Sequence, residues 1–250
     1  MLKLSIITIN YNNFSGLRKT VDSVMSQTWR GFEWIIIDGG SNDGSKEFIE
    51  SITTKKDSNV SYWCSEKDNG IYNALNKGIM HCNGEYVSCM NSGDVYYSHY
   101  TLAEVFSKEN KVTVLYGDAM FSYDSHEKQI TYPNKMSFRW LYNDTINHQA
   151  AFCKTHILKK YRFDESYTIM ADRKLWLRLY LSGYSFRHIP LVVTKYDHSG
   201  ISATDENKWM SEFHRLHDEI ISPNIQKVRI LNVLAKTYIE ISCRLKSVLR

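Results

Sequence analysis

A chain of 250 residues has the length of one large α/β domain plus a helical appendage, and it can bury a substantial core. Hydrophobic residues at 43% and charged residues at 23% are ordinary for a globular protein, and no apolar run reaches membrane-spanning length. Residues 227–250 hold six basic groups and one acidic, while the remaining 25 basic and 26 acidic groups nearly cancel, so the net charge of +4 comes from the tail and argues against general nucleic-acid binding. Five scattered cysteines without a C-x-x-C pair argue against a disulfide framework or a zinc site and fit a reducing cytoplasm. The opening Met1 to Ile9 is too short and too interrupted for a signal peptide. Tyrosine is frequent, at 17 copies, a usage that half-buried strands explain as well as a sugar-handling cleft does.

In chain order, the β-branched run Leu4 to Ile9 predicts a buried strand, and Asn10-Tyr11-Asn12-Asn13 a turn. Leu17, Val21, Val24 and Met25 then recur at helical spacing. Phe32 to Ile37 predicts a second strand, and Asp43-Gly44-Ser45 opens a helix with Phe48, Ile49 and Ile52 on its apolar face, Asp43 serving as a cap. Val60 to Cys64 reads as a third strand, Ile71 to Met80 as a third helix, and Tyr86 to Met90 as a fourth strand. This β-α rhythm predicts a Rossmann-like, mostly parallel central sheet with flanking helices and right-handed crossovers. Beyond it come a helix over 101–108, a strand over 112–116, a hairpin of 120–123 and 128–131 around residues 124–127, and a short strand over 150–153. A helix over 175–181 ends at Gly183. The run Phe186 to Lys195 carries Pro190, which predicts an edge strand. Pro223 precedes a basic, amphipathic helical pattern from Ile225 onward. The organisation expected is a main domain over 1–204 and a helical extension over 205–250.

Two strand exits carry acids. Asn91-Ser92-Gly93-Asp94 follows the fourth strand, and Asp38-Gly39-Gly40-Ser41-Asn42-Asp43 follows the second. Open α/β sheets hold ligands at the carboxyl ends of their strands, and an aspartate there is placed to hold a divalent cation against a diphosphate. Both exits therefore point to one nucleotide-binding face.

These stretches resemble the family 2 glycosyltransferases of the GT-A fold. Ser5 to Asn12 is similar to that family's opening strand, Asp38 to Ser45 to its second-strand exit, and Glu66 to Gly78 to its third block. Asn91 to Asp94 occupies the place of its metal-binding motif, while His148-Gln149 and Ala171-Asp172 look like its acceptor-side blocks. The match spans roughly residues 3–202. It implies an inverting transferase that moves a sugar from a UDP-sugar donor to a glycan or lipid-linked acceptor hydroxyl, as in bacterial surface polysaccharide synthesis. Nucleotide contacts would come from Asp38, Asp68, Asn10 and Ser92, with Asp38 accepting from the base N–H. Turn or helix-capping duty is the competing reading for Asp38 and Asp68. Asp94 would hold Mn2+ or Mg2+, with His198 a candidate second metal or phosphate ligand, against a solvent-facing loop histidine. Asp172 would take the acceptor's proton, with capping again the competing role, and His148 would stand beside the leaving group or acceptor. Trp140 and Tyr142 are candidates to stack on an acceptor sugar, a role burial explains equally. The acidic loop is thinner than in many members, since Asn91 and Gly93 stand where others carry acids, so weak metal affinity in the absence of nucleotide is expected.

For the basic tail two readings stay open: packing on the domain or forming a homodimer, or a peripheral contact with an anionic membrane that would hold a cytoplasmic protein at the inner face of the plasma membrane. A nucleotide-sugar-binding or regulatory protein without transferase activity is the alternative function. A dinucleotide-dependent oxidoreductase is disfavoured, because no G-x-G-x-x-G follows the first strand.

Overall fold

The computed structural model describes residues 2–108, 111–123, 126–197 and 206–224. The first four strands are β1 (Leu4–Asn10), β2 (Phe32–Asp38), β3 (Val60–Ser65) and β4 (Tyr86–Cys89). They are joined by α1 (Phe14–Met25), α2 (Ser45–Thr53) and α3 (Ile71–His81) and lie parallel in the order β3-β2-β1-β4. Both faces of this sheet are covered, which is why β1 and β2 are apolar at consecutive positions rather than alternate ones. Leu4, Ile6, Trp34 and Ile36 enter the core under α1 and α2, whereas Ile7, Ile9, Ile35 and Ile37 enter the core under α3. The pleat thus sends alternate side chains into two layers.

The second half widens the sheet with mixed pairing. β5 (Val95–Tyr96) is followed by α4 (Thr101–Val105), then β6 (Val114–Ser122), β7 (Glu127–Ile130) and α5 (Phe138–Asn143). A single 3-10 turn, His148–Ala150, leads into β8 (Ala151–Lys154) and α6 (Thr155–Tyr161). The described chain closes with α7 (Ala171–Leu181), β9 (Phe186–Asp197), α8 (Glu206–Leu216) and a π-helical turn, His217–Ile221. The sheet runs β3-β2-β1-β4-β8-β6-β9-β5, with β7 paired to β6; β8 is antiparallel to both of its neighbours, and β6 and β9 are parallel. The expected α/β architecture with a largely parallel core and flanking helices is present.

Three expectations need correction. The strand read over 112–116 and the first arm of the hairpin are one strand, β6, which passes through Gly117 without a break. A Cβ at Gly117 would stand 2.5 Å from the Leu191 carbonyl oxygen, so glycine here marks a close backbone approach rather than a turn. The strand with Pro190 does not end the sheet; β9 lies between β6 and the two-residue β5. Its register against β6 jumps from Gly117↔Ile189 to Asp118↔Val192, so Pro190 falls in an irregularity where no ladder donor is required. The helix expected over 101–108 stops at Val105.

The last described helix is not separately cored. Leu216 is fully buried within the same apolar cluster as Leu175 and Trp176 of α7, and Phe213 packs against that cluster. The basic segment 225–250, on which the membrane and dimer readings rest, lies outside the described residues, as does His198.

Candidate active site

The parallel order reverses around β1, whose neighbours are β2 and β4, and a cavity of about 750 Å³ opens beside the carboxyl ends of β1 and β4. Asn10, Asp68, Ser92, Asp94, His148 and Asp172 all line it. Residues separated by 162 positions in the chain are thus brought to one surface.

The loop Asn91–Asp94 is braced from α1. The Thr20 hydroxyl, fully buried, donates toward the Asp94 carbonyl (2.8 Å) and lies 3.1 Å from that of Asn91, while it accepts from the Gly93 N–H (3.0 Å). Asp94 is 4% exposed, and its Oδ2 accepts from Gln149 Nε2 at 2.8 Å. The next residue back, His148, faces Asp172 Oδ2 through Nδ1 (3.4 Å) and Asn91 Nδ2 through Nε2 (3.0 Å). One 3-10 turn therefore links the acid after β4 to the acid at the start of α7. Asp172 Oδ1 accepts from the Arg173 N–H at 2.7 Å.

Four buried oxygens on the cavity lining have no hydrogen-bond partner: Asn10 Oδ1, Asn91 Oδ1, Ser92 Oγ and Gln149 Oε1. Buried polar atoms in native folds are almost always satisfied, so orphans gathered at one cavity point to a ligand, water or ion. These atoms are hard oxygen acceptors, the donor type suited to Mg2+ or Mn2+. Among the described residues, however, no group of three or more Asp, Glu, His or Cys side chains could hold a metal. The residues present fit a cation completed by a ligand's own oxygens rather than a preformed cage.

Asp38 lies apart from the cavity. It is fully buried at the end of β2, opposite Asn10 in register, and accepts from Asn10 Nδ2 (2.8 Å), Ser41 N (2.9 Å), Ser41 Oγ (2.6 Å) and Ser65 Oγ (2.6 Å). Burial raises its pKa, but these donors together outweigh it and hold the carboxyl below the usual range. Its visible work is to fix Asn10, whose Oδ1 remains unpartnered on the lining. Gly44, not Asp43, is the capping residue of α2; Asp43 instead closes a turn by accepting from Ser45 N (3.1 Å) and accepts from Phe14 N at the start of α1 (2.8 Å). Asp68 lines the cavity, and its Oδ1 accepts from the N–H of Gly70, the capping residue of α3 (2.9 Å), without reaching the helix's own donors. Gly39 leaves room there, since a Cβ would lie 2.7 Å from Asp68 Oδ2 and 3.1 Å from the Tyr11 ring.

Aromatic residues on the lining were not those read from the sequence. Trp140 stands edge-on to Tyr132 (5.8 Å), Tyr142 turns toward Phe213 (6.1 Å), and neither faces the cavity. Tyr11 and Trp209 do, at 66% and 37% exposure. Position in the turn after β1 marks Tyr11; nothing local marks Trp209.

Comparison with known proteins bears on the family and the fold. The model of the family described as Glycosyl transferase family 2 matches residues 5–163, and the chain belongs to that family. It is 30% identical over 210 residues to the uncharacterized glycosyltransferase MT1564 of Mycobacterium tuberculosis, covering 81% of this chain and 78% of that one. A PGL/p-HBAD biosynthesis glycosyltransferase of Mycobacterium bovis is 25% identical over 215 residues, covering 81% and 76%. Among solved structures, S. aureus TarS 1-349 in complex with UDP-GlcNAc superposes with a TM-score of 0.69 at 17% identity over 87% of this chain. The chain spans 65% of that TarS chain's length. The mannosyltransferase PcManGT of Pyrobaculum calidifontis, in complex with GDP-Man and Mn2+, gives 0.61 at 17% identity, covering 91% of this chain and 64% of that one. The shared fold is GT-A.

Proposed function

We propose that the protein is an inverting glycosyltransferase that uses a UDP-sugar and a divalent cation and transfers the sugar to a glycan or lipid-linked hydroxyl. The observation that carries the reading is the cavity's charge. Its described lining bears four carboxylates, Asp68, Asp94, Asp144 and Asp172, against one guanidinium, Arg173, which is already engaged with the carbonyls of Leu141 (3.2 Å) and Tyr142 (2.6 Å). A diphosphate enters such a site only with a cation. Asp94, with neutral oxygens from Asn91, Ser92 and Gln149, would hold that cation, which would neutralise charge on the departing diphosphate. Tyr11 offers a face for the base beside Asp68, and Asn10 offers an acceptor held in place by Asp38. Asp172 takes the proton of the acceptor hydroxyl, with His148 steadying its Oδ2. Trp209, on the lining near Arg173, suits the apolar face of an acceptor sugar.

The bacterial surface-polysaccharide role and membrane-side placement are proposed with it; no helix among the described residues is long and apolar enough to cross a membrane. A panel of UDP-sugars, incubated with and without Mn2+ and with a purified glycan acceptor, tests the reading. The expected result is metal-dependent UDP release that rises when the acceptor is added. Tight UDP binding with no release under any condition would instead support a nucleotide-sugar-binding or regulatory protein, which the sparse acidic loop also suits.

A further inference from the structure

Glu212 is 6% exposed, and its carboxylate accepts from three consecutive backbone N–H groups: Thr168 (2.6 Å), Ile169 (2.9 Å) and Met170 (3.0 Å). Those residues form the approach to α7 and line the cavity, and the second residue of α7 is Asp172. Backbone N–H groups removed from water need acceptors, and a non-helical approach to a helix supplies few of its own. The three donors are the residues that lead into α7, ending with Met170 at its capping position, whose side chain has no oxygen acceptor. The acceptor comes instead from α8, 42 positions further along the chain. A buried carboxylate is tolerated when its acceptor sites are filled, and this one is filled entirely by main-chain donors of a single segment. The same segment is gripped from the other side, where the Tyr72 hydroxyl donates to the Ile169 carbonyl at 2.7 Å. One turn before Glu212, Trp209 lines the cavity with its ring stacked on Phe213 at 5.3 Å.

We propose that Glu212 is a positioning residue for transfer: it fixes the 168–170 backbone and so sets where the Asp172 carboxylate stands in the cavity. In this reading α8 is part of the catalytic unit, although it lies beyond the stretch that the family match covers. The proposal rests on the transferase reading for Asp172. It does not require Glu212 to touch either substrate, since its carboxylate faces the backbone.

The test uses the full chain as wild type, Glu212→Gln and Glu212→Asp. Three quantities are measured: amide hydrogen exchange over residues 168–172, affinity for UDP with Mn2+, and UDP release from whichever UDP-sugar the wild type turns over. Replacing the charged acceptor by an amide should speed exchange at Thr168, Ile169 and Met170 by about 10- to 100-fold. The kcat should fall by a similar factor, with donor KM and UDP affinity within about twofold of wild type. Glu212→Asp keeps the charge one methylene short and should recover part of both. Unchanged exchange overturns the clamp. Faster exchange with unchanged kcat overturns the positioning role, and so does a parallel worsening of kcat, KM and UDP affinity, which is the mark of general destabilisation. A wild type that turns over no UDP-sugar counts against the transferase reading itself, and exchange then decides on its own whether Glu212 holds the segment.

Discussion

At the residue scale, the proposed reaction assigns holding and reacting to different acids. Asp38 is spent on four internal hydrogen bonds, so its contribution is the fixed pose of Asn10. Asp172, by contrast, lies on the cavity lining with its Oδ2 paired only loosely to His148. Asp172→Asn should lower transfer by about 10²- to 10⁴-fold, the usual worth of a general base, with UDP affinity nearly unchanged. Steady-state kinetics and UDP titration check this, and substantial residual turnover would remove Asp172 from the chemistry. Asp94→Asn should act on the other half of the reaction. It keeps the shape but removes the loop's one charge, so the Mn2+-dependent part of UDP affinity should drop at least about tenfold. Calorimetry with Mn2+ alone should show weak binding to wild type, because a single carboxylate with neutral oxygens holds the ion poorly until phosphate oxygens join it.

At the scale of elements, three pieces meet: the β4 exit braced by Thr20, the 3-10 turn His148–Ala150, and the start of α7. The β2 exit adds a steric condition. Gly39→Ala would press a methyl group into the space between Asp68 and Tyr11, so UDP affinity should fall by about tenfold while the thermal unfolding midpoint changes little. The first four strands and three helices were legible because the buried strands β1, β2 and β4 announce themselves as apolar runs, the half-buried β3 shows β-branched and aromatic residues, and each helix carries an apolar period. That Asp94 and Asp172 would share one cavity was readable from strand-exit logic and family resemblance. Partnerships made at long range were not. Gln149 reaching Asp94 lies 55 positions away in sequence, and Glu212 accepting from the three N–H groups that lead into α7 has no local signature. The turn His148–Ala150 and helix α6 were missed because each is short, and a few residues do not establish a period. Reading the edge from Pro190 failed because a bulge meets proline's missing donor as well as an edge does.

At the scale of the whole molecule, α6, α7 and α8 are tied by one ion cluster. Lys174 of α7 meets Asp164 (2.6 Å), in the loop after α6, and Glu219, in the turn after α8. Burial raises the Asp164 pKa, but the Lys174 and Ser166 contacts outweigh it and hold the carboxyl at about 2, against an ordinary 3.8. The Lys174 contact likewise holds Glu219 below its usual range. Carboxyls depressed in the folded state stabilise it above their unfolded pKa values, and that stability is lost as pH falls through the folded ones. Thermal unfolding of wild type should therefore weaken between about pH 4 and pH 2. Lys174→Met should flatten that dependence and lower stability near pH 7 by about 1–2 kcal/mol, a modest figure because both carboxylates are partly exposed and screened. Melting curves across pH, with and without the substitution, decide it. The cavity wall draws on Ile9 near one end of the described chain and on Trp209 near the other. Among the described residues β9 is the last strand and α8 follows it, so the wall of the proposed donor cavity is completed only after every strand is in place. Severing the chain between β9 and α8 should therefore remove the stabilisation that UDP with Mn2+ gives the intact protein while the parallel sheet endures, which melting curves with and without the ligand check.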